Sequence, residues 1–362
     1  MKLCCIFNYA PLYREPIYRA IDQEFDAQFC FGDKKSDVEK LDCTIFKKKT
    51  IEFHETSLLH RYMWRTRLIS KAISSKYDVF LMTGDITFSH IPFLIICRLL
   101  RKPVYAWGHG AKTLGGKWGW LVKLHYLLWT AFLTYGEGGR KRLIELGIPS
   151  SKLYVIYNSL GDGALNKDTT TNANIYKEHF NNSYPTLLFV GRLTPVKQLD
   201  WIISALYKHK LEGVYYNVIL IGDGSEREKI VSMVKQLRLQ SNVWLFGKCY
   251  DNETLSDLIY NAELCVSPGN VGLTALHSMS FGTPVLSNDD FETQMPEYET
   301  IVPGETGERY KKCDFNDFCE KIKKWLSDNH DRSVVRSNCY SMINGKWNVN
   351  NQMRILRALL NK

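Results

Sequence analysis

The stretch Ser267-Pro268-Gly269-Asn270-Val271-Gly272-Leu273-Thr274 has the residue types and spacing to hold an anion. An apolar run, Leu264 to Val266, stops at it, and a helical pattern runs from Val271 to Phe281 until Gly282 and Pro284 end it. Val285 and Leu286 open a second apolar run. Strand, tight turn, helix and strand make one βαβ unit. The start of such a helix offers amide groups without helical partners and the positive end of the helix dipole, which together favour a phosphate. A plainer reading also fits, in which Gly269 and Gly272 only permit a tight turn. Arg192 and Lys197 follow another apolar run, 186–190. Arginine can bond two phosphate oxygens at once and lysine adds a mobile point charge. The alternative for this pair is two solvated surface cations.

Alternating apolar runs and helical stretches must position these groups. In the first half, strands are expected at 2–7, 27–31, 43–47, 79–82, 103–107, 131–135 and 153–156, and helices at 14–24, 57–76, 89–101, 117–130 and 138–146. In the second half, strands are expected at 186–190, 216–221, 243–246 and in the βαβ unit above. Helices are expected there at 197–208, 225–238, 252–261 and 314–327, with a terminal helix at about 348–361. Residues 161–184, poor in apolar groups, read as a linker with an irregular start to the second half. The pattern predicts two doubly wound α/β domains with ligands at the carboxyl ends of their strands. The turns at Gly191, Gly222, Gly247 and Gly269 are therefore the places to look.

At 362 residues the chain exceeds a usual single core. The divisions expected are 1–165, 166–345 and a terminal helix 346–362. No apolar run of about 18 residues predicts a membrane span, and the short N-terminal run reads as a strand rather than a signal peptide. Ten cysteines without CxxC or metal spacing read as reduced thiols of a cytoplasmic protein. Residues 1–165 hold 24 Lys and Arg against 15 Asp and Glu, whereas 166–362 hold 23 of each. All excess positive charge lies in the first half, where it suits a phosphorylated substrate or an anionic membrane surface. The basic residues form no recognisable nucleic-acid motif. Gly222-Asp223-Gly224 lacks the third glycine of a dinucleotide fingerprint, which argues against a dehydrogenase.

The stretches FVGRLTPVKQLDWIISAL (189–206), IGDGSEREKI (221–230), WLFGK (244–248), SPGNVGLTALHSMSFGTPVLSND (267–289) and PEYETIVPGETGERY (296–310) occur in family order. Together they resemble the C-terminal domain of the family 4 retaining glycosyltransferases, which have the GT-B fold. YAWGHG (105–110) and ELGIPSSKLYVIYNSL (145–160) extend the resemblance weakly into the first half. The resemblance implies two Rossmann-like domains facing across a cleft. The first would hold the acceptor, the second a nucleotide-sugar donor, and the final helix would cross back to the first.

It also implies roles. Arg192 and Lys197 would bind the diphosphate, with the amides of Val271, Gly272 and Leu273 and the hydroxyl of Thr274 completing the cradle. Gly191, Gly222, Gly247 and Lys248 would line the donor pocket. His109, between Gly108 and Gly110, resembles a family histidine facing the donor sugar, against the alternative of a turn histidine. The family has two glutamates eight positions apart in the 267–289 motif, and Gly269 and His277 stand in their places here. His277 could still bond a ribose hydroxyl or simply pack on its helix, and Asn270 could take part of the sugar contact. No cofactor and no metal is implied, and Asp289-Asp290 reads as a solvated turn.

Tyr9, Tyr13 and Arg14 in the opening loop suit a sugar or phosphate-bearing acceptor, or pack over the first strand; Asp85 is expected on the same edge. Within 117–135, Lys117, Trp118, Trp120, Lys123 and Trp129 suit a helix touching anionic lipid or a buried amphipathic helix. The expected function is transfer of a sugar from a nucleoside diphosphate to a polysaccharide or lipid-linked glycan, metal-independent and retaining, at the inner face of a membrane. The alternatives are a catalytically silent nucleotide-sugar or glycan-binding module and a nucleotide-sugar epimerase.

Overall fold

The structure is a computed structural model that describes residues 1–33, 38–58, 62–65, 67–87, 89–111, 119–161, 172–328 and 330–361, with backbone alone at 55–58 and 62–64. Two compact units emerge, Met1–Gly161 with Asn348–Lys362 and Asp162–Trp347. Among the described residues no helix is long and apolar enough to cross a membrane.

The first unit runs β1 (Lys2–Phe7), α1 (Glu15–Glu24), β2 (Asp26–Gly32), β3 (Ile51–Phe53), β4 (Glu55–Leu58), β5 (Tyr62–Arg65), α2 (Leu68–Ile73) and β6 (Val79–Thr83). It continues with α3 (His90–Leu99), β7 (Val104–Gly108), α4 (Gly119–Leu128), β8 (Ala131–Thr134), α5 (Glu137–Glu145) and β9 (Leu153–Val155). Seven strands form one parallel sheet in the order β3-β2-β1-β6-β7-β8-β9. β1 and β7 are apolar along most of their length because helices cover both faces of the sheet.

The second unit runs α6 (Ile175–Phe180), β10 (Thr186–Val190), α7 (Asp200–Leu211), β11 (Asn217–Ile221), α8 (Arg227–Gln236), β12 (Val243–Gly247) and α9 (Asn252–Asn261). It ends with β13 (Leu264–Ser267), α10 (Leu273–Ser280), β14 (Val285–Asn288), β15 (Gly307–Tyr310), α11 (Phe315–Ser327) and α12 (Arg332–Lys346). Its parallel sheet has the order β12-β11-β10-β13-β14-β15. In each sheet the order reverses beside the first strand of the unit, between β1 and β6 and between β10 and β13. Helices leave such neighbouring strands towards opposite faces, which opens a crevice at their carboxyl ends.

The last helix, α13 (Val349–Leu360), belongs to the first unit. Asn348 caps it by accepting from the Asn351 amide at 2.9 Å. Its apolar stripe of Val349, Met353, Leu356, Leu359 and Leu360 joins the core of Leu3, Ile17, Phe29 and Leu81. Gln352, wholly buried, accepts from the Ser159 hydroxyl at 2.7 Å and donates to the Tyr157 carbonyl at 2.9 Å. Arg357 forks onto Glu24 of α1 at 2.6 Å.

Four expectations are corrected. The stretch 57–76 is not one helix, since β4 and β5 pair antiparallel before α2, and Arg67 between them and α2 is left-handed (φ 61°). The stretch 43–47 is not a strand; Cys43–Ile45 form a 3-10 turn capped by Asp42, and β3 takes the edge position beside β2. The expected linker contains α6, held by buried Tyr176 and Phe180. β15 and α12 have no counterpart among the expected elements.

Candidate active site

In the second unit, the turns after β10 and β13 lie backbone to backbone at the point of strand-order reversal. The Gly269 amide donates to the Lys197 carbonyl at 3.1 Å and the Asn270 amide lies 3.4 Å from the Val196 carbonyl. A Cβ on Gly269 would stand 1.8 Å from that Val196 oxygen, so only glycine fits the glutamate position of the resembling motif. Lys197 returns across this contact. Its Nζ donates to the Asn270 carbonyl at 2.6 Å and to the Asn270 side-chain oxygen at 2.8 Å.

Carbonyls of the 267–270 turn are held from one side. The Ser287 hydroxyl donates to the Ser267 carbonyl at 2.8 Å, and Asn288 donates to the carbonyls of Pro268 at 3.0 Å and Gly269 at 3.1 Å. Tyr310 also binds the Pro268 carbonyl. The Gln294 amide reaches the Gly269 carbonyl at 3.3 Å and accepts from the Val271 N–H at 2.8 Å. Gly272 (φ 55°) then turns the chain into α10 and offers no side chain to cap the helix start.

Burial pulls the half-buried Lys197 ammonium down to about 8, helped by repulsion from Arg192 and opposed by Glu297. Arg192 itself is exposed. A desolvated cation crowded by a second one at a helix start is an arrangement that an anion would relieve.

The remaining residues expected on the donor side divide. Gly222 and Gly191 make a close backbone crossing, where a Cβ on Gly222 would sit 1.9 Å from the Gly191 oxygen. The Gly222 amide donates to the Gly247 carbonyl at 2.7 Å, and Lys248 is exposed beside it. Three expected donors are placed differently. The Val271 amide is occupied by Gln294 and is not free for phosphate. The Thr274 hydroxyl donates to the Val190 carbonyl at 2.9 Å, which ties α10 to the end of β10. Burial lowers His277 to about 4, so its half-buried imidazole is neutral at ordinary pH, packed 5.6 Å from the Phe281 ring. Leu273 is half-buried at the helix start.

In the first unit, a cavity of about 570 Å³ opens at the reversal between β1 and β6. It brings together Tyr9, Tyr13, Arg14, Asp85 and His109, the whole set expected in this half. The Tyr9 hydroxyl donates to the Val38 carbonyl at 2.7 Å, and the exposed His109 ring lies 4.8 Å from that of Tyr135. Arg14 is 8% exposed and hydrogen-bonds the Tyr135 hydroxyl. Asp85 accepts from Arg65 at 2.7 Å, so its charge is already balanced. Arg65 is buried and also donates to His90 Nε2 at 2.9 Å. Burial first, then the Arg65 charge, holds His90 well below the usual imidazole range and therefore neutral.

The lipid-facing expectation is partly corrected. Trp129 is core, 1% exposed, with its indole donating to His125 at 3.2 Å. Trp120, Lys123 and Leu124 of α4 are exposed; Lys117 and Trp118 lie outside the described residues. Sequence reasoning missed Arg65, Gln294, Ser287 and Asn288. Ser287 and Asn288 end β14 inside the 267–289 stretch, and the signal for Gln294 was its position just after that strand.

Residues 171–342 match the family Glycosyl transferases group 1. A stretch of 145 residues is 28% identical to the O-antigen biosynthesis glycosyltransferase WclY of Escherichia coli, and 146 residues are 25% identical to the N-acetyl-alpha-D-glucosaminyl L-malate synthase of Bacillus anthracis. These matches span 39% of this chain, and 39% and 37% of the relatives' own lengths. In three dimensions the whole chain is similar to Anabaena HepE, solved in complex with UDP (TM-score 0.76, 14% identity, 100% of both chains). It is also similar to the lipopolysaccharide outer core galactosyltransferase WaaB (TM-score 0.73, 16% identity, 100% of this chain and 99% of that one). The second unit thus carries the sequence pattern of the group 1 glycosyl transferases, and the chain has the α/β GT-B fold of those enzymes.

Proposed function

We propose that this protein is a glycosyltransferase that moves a sugar from a nucleoside diphosphate, with uracil as the base, to a polysaccharide or lipid-linked glycan. The match of the second unit to the group 1 family and the UDP held by HepE support that donor class. The observation that carries the reading is Lys197, desolvated, crowded by Arg192 and docked on Asn270 at the start of α10. As the anomeric bond breaks, negative charge builds on the leaving diphosphate. Two preorganised cations and the first amides of α10 would stabilise it without help from a metal. The acceptor would lie in the cavity of the first unit against Tyr9, Tyr13 and His109. Transfer would retain the anomeric configuration, as the motif order suggests.

Membrane contact at the cytoplasmic face belongs to the same proposal. Ile95 and Leu99 of α3 and Trp120 and Leu124 of α4 are exposed beside Arg98, Arg101 and Lys123, which suits an anionic lipid surface. Two observations favour a second reading, a silent nucleotide-binding module: Gly269 has no room for a side chain and His277 is neutral.

The test is a radiolabel assay over a panel of UDP-sugars, with and without glycan acceptors, on wild type and the Arg192→Ala/Lys197→Ala variant. Transfer by the wild type, reduced at least a hundredfold in a folded variant, is expected, since removing one such donor costs roughly a hundredfold or more. Unchanged transfer in the variant would sink the residue roles. Binding without transfer or hydrolysis would favour the module.

A further inference from the structure

Arg14 is a buried charge with no counter-charge among the described residues. Among the described residues, the side chains that meet its guanidinium are aromatic. Its guanidinium lies 5.0 Å from the Tyr135 ring centroid, 5.1 Å from Trp107 and 5.8 Å from Tyr13, and it hydrogen-bonds the Tyr135 hydroxyl. Burial drives the neighbouring Tyr18 phenol upward, so that ring stays neutral and supplies no anion. Among the described residues, the one carboxylate lining the same cavity, Asp85, is engaged by Arg65. Removing a guanidinium from water without an opposite charge is costly, and aromatic faces return only part of that cost. Arg14 nevertheless stands beside about 570 Å³ of open cavity. It also immediately precedes α1, whose dipole adds positive potential at the same point.

We propose that this cavity binds an anionic group, a carboxylate or phosphoryl carried by the acceptor, in a forked contact with Arg14. The inference rests on the reading that the first unit holds the acceptor, and it names the acceptor as an acidic or phosphorylated glycan. The sugar ring would lie on Tyr9 and Tyr13, with the anion reaching the guanidinium below them. The geometry suits arginine because its planar fork matches both oxygens of a carboxylate or phosphoryl group.

Calorimetric titration of the full chain tests this. The probes are methyl β-glucuronide, glucose 6-phosphate, neutral methyl β-glucoside and UDP, each against wild type, Arg14→Gln and Arg14→Lys. Wild type should bind at least one anionic probe roughly tenfold or more tighter than the neutral glucoside, the range of a hydrogen bond to a charged group. Arg14→Gln should erase that preference, Arg14→Lys should keep part of it, and neither should change the UDP affinity. Equal binding of charged and neutral probes by wild type, or binding of no anionic probe, overturns the proposal. So does a preference that survives in Arg14→Gln. A parallel loss of UDP affinity in Arg14→Gln would assign the anion to the donor and overturn it as well. If Arg14→Gln does not fold, competition of inorganic phosphate against the bound anionic probe in wild type decides, and no competition refutes the site. Sugar transfer without any charge preference would sink this proposal and spare the transferase. A charge preference without transfer would do the reverse.

Discussion

The proposed role of Lys197 in donor binding predicts a pH dependence that can be measured. Its ammonium is drawn down from 10.5 to about 8, by burial first and by Arg192 second. If the protonated lysine holds the diphosphate, affinity is present below that value and is lost as the proton leaves. Titration with a midpoint near 8 leaves the amine about nine-tenths charged at pH 7 and about one-tenth charged at pH 9, so the UDP dissociation constant should rise roughly tenfold, or about 1.4 kcal/mol. Calorimetry at the two pH values reads this directly. Lys197→Met should bind UDP more weakly at pH 7 and show no further loss at pH 9. Arg192→Ala should move the break to higher pH, because a repelling charge is gone, while burial keeps it below 10.5. Folding stability provides a check of opposite sign. Between about 8 and 10.5 the unfolded chain holds the lysine proton more firmly than the folded one, so this group's contribution to stability rises with pH across that window. Lys197→Met should remove that rise. A UDP affinity in wild type that is flat between pH 7 and 9, or an equal slope in Lys197→Met, would refute the reasoning.

Two further perturbations separate the proposed donor corner from the rest. Gly269→Ala places a Cβ 1.8 Å from the Val196 oxygen, so the 195–197 turn must shift; a loss of about 1–3 kcal/mol in urea unfolding, together with weaker UDP binding, is expected, and no change in either would contradict the contact. Leu356→Ala empties a site 1% exposed in the core of the first unit and should cost about 2–5 kcal/mol in the same assay while the UDP dissociation constant stays as in wild type.

Much of the proposed donor corner was legible because it is local. An apolar strand, a glycine turn and a short helix announce themselves in consecutive residues, and β10, β11, β13 and α10 lie where the run lengths put them. What could not be read are contacts between residues distant in the chain. Arg65 meets Asp85 only after β5 folds away from α2, and that segment had the composition of a helix. Gln294 looks like an ordinary loop residue until the turn after β13 comes beside it. Thr274 illustrates the opposite failure. Its position one turn into the helix suggested a ligand, but the residue is buried, 9% exposed, and its hydroxyl bonds the Val190 carbonyl instead. The aromatic cage of Arg14 was visible only as Tyr13 in sequence, since Trp107 and Tyr135 arrive from β7 and the end of β8.

The placement of α13 affects how the protein is made. Leu3, Phe29 and Leu81 precede the second unit in the chain, yet the stripe of Met353, Leu356 and Leu359 that covers them is synthesised only after the whole of it. At about 5–20 residues per second, translation of the intervening Asp162–Trp347 takes on the order of ten to forty seconds. Throughout that interval the nascent first unit presents an open apolar groove. Chains stalled before Asn348 would carry it permanently, as natural clients for chaperones and proteases.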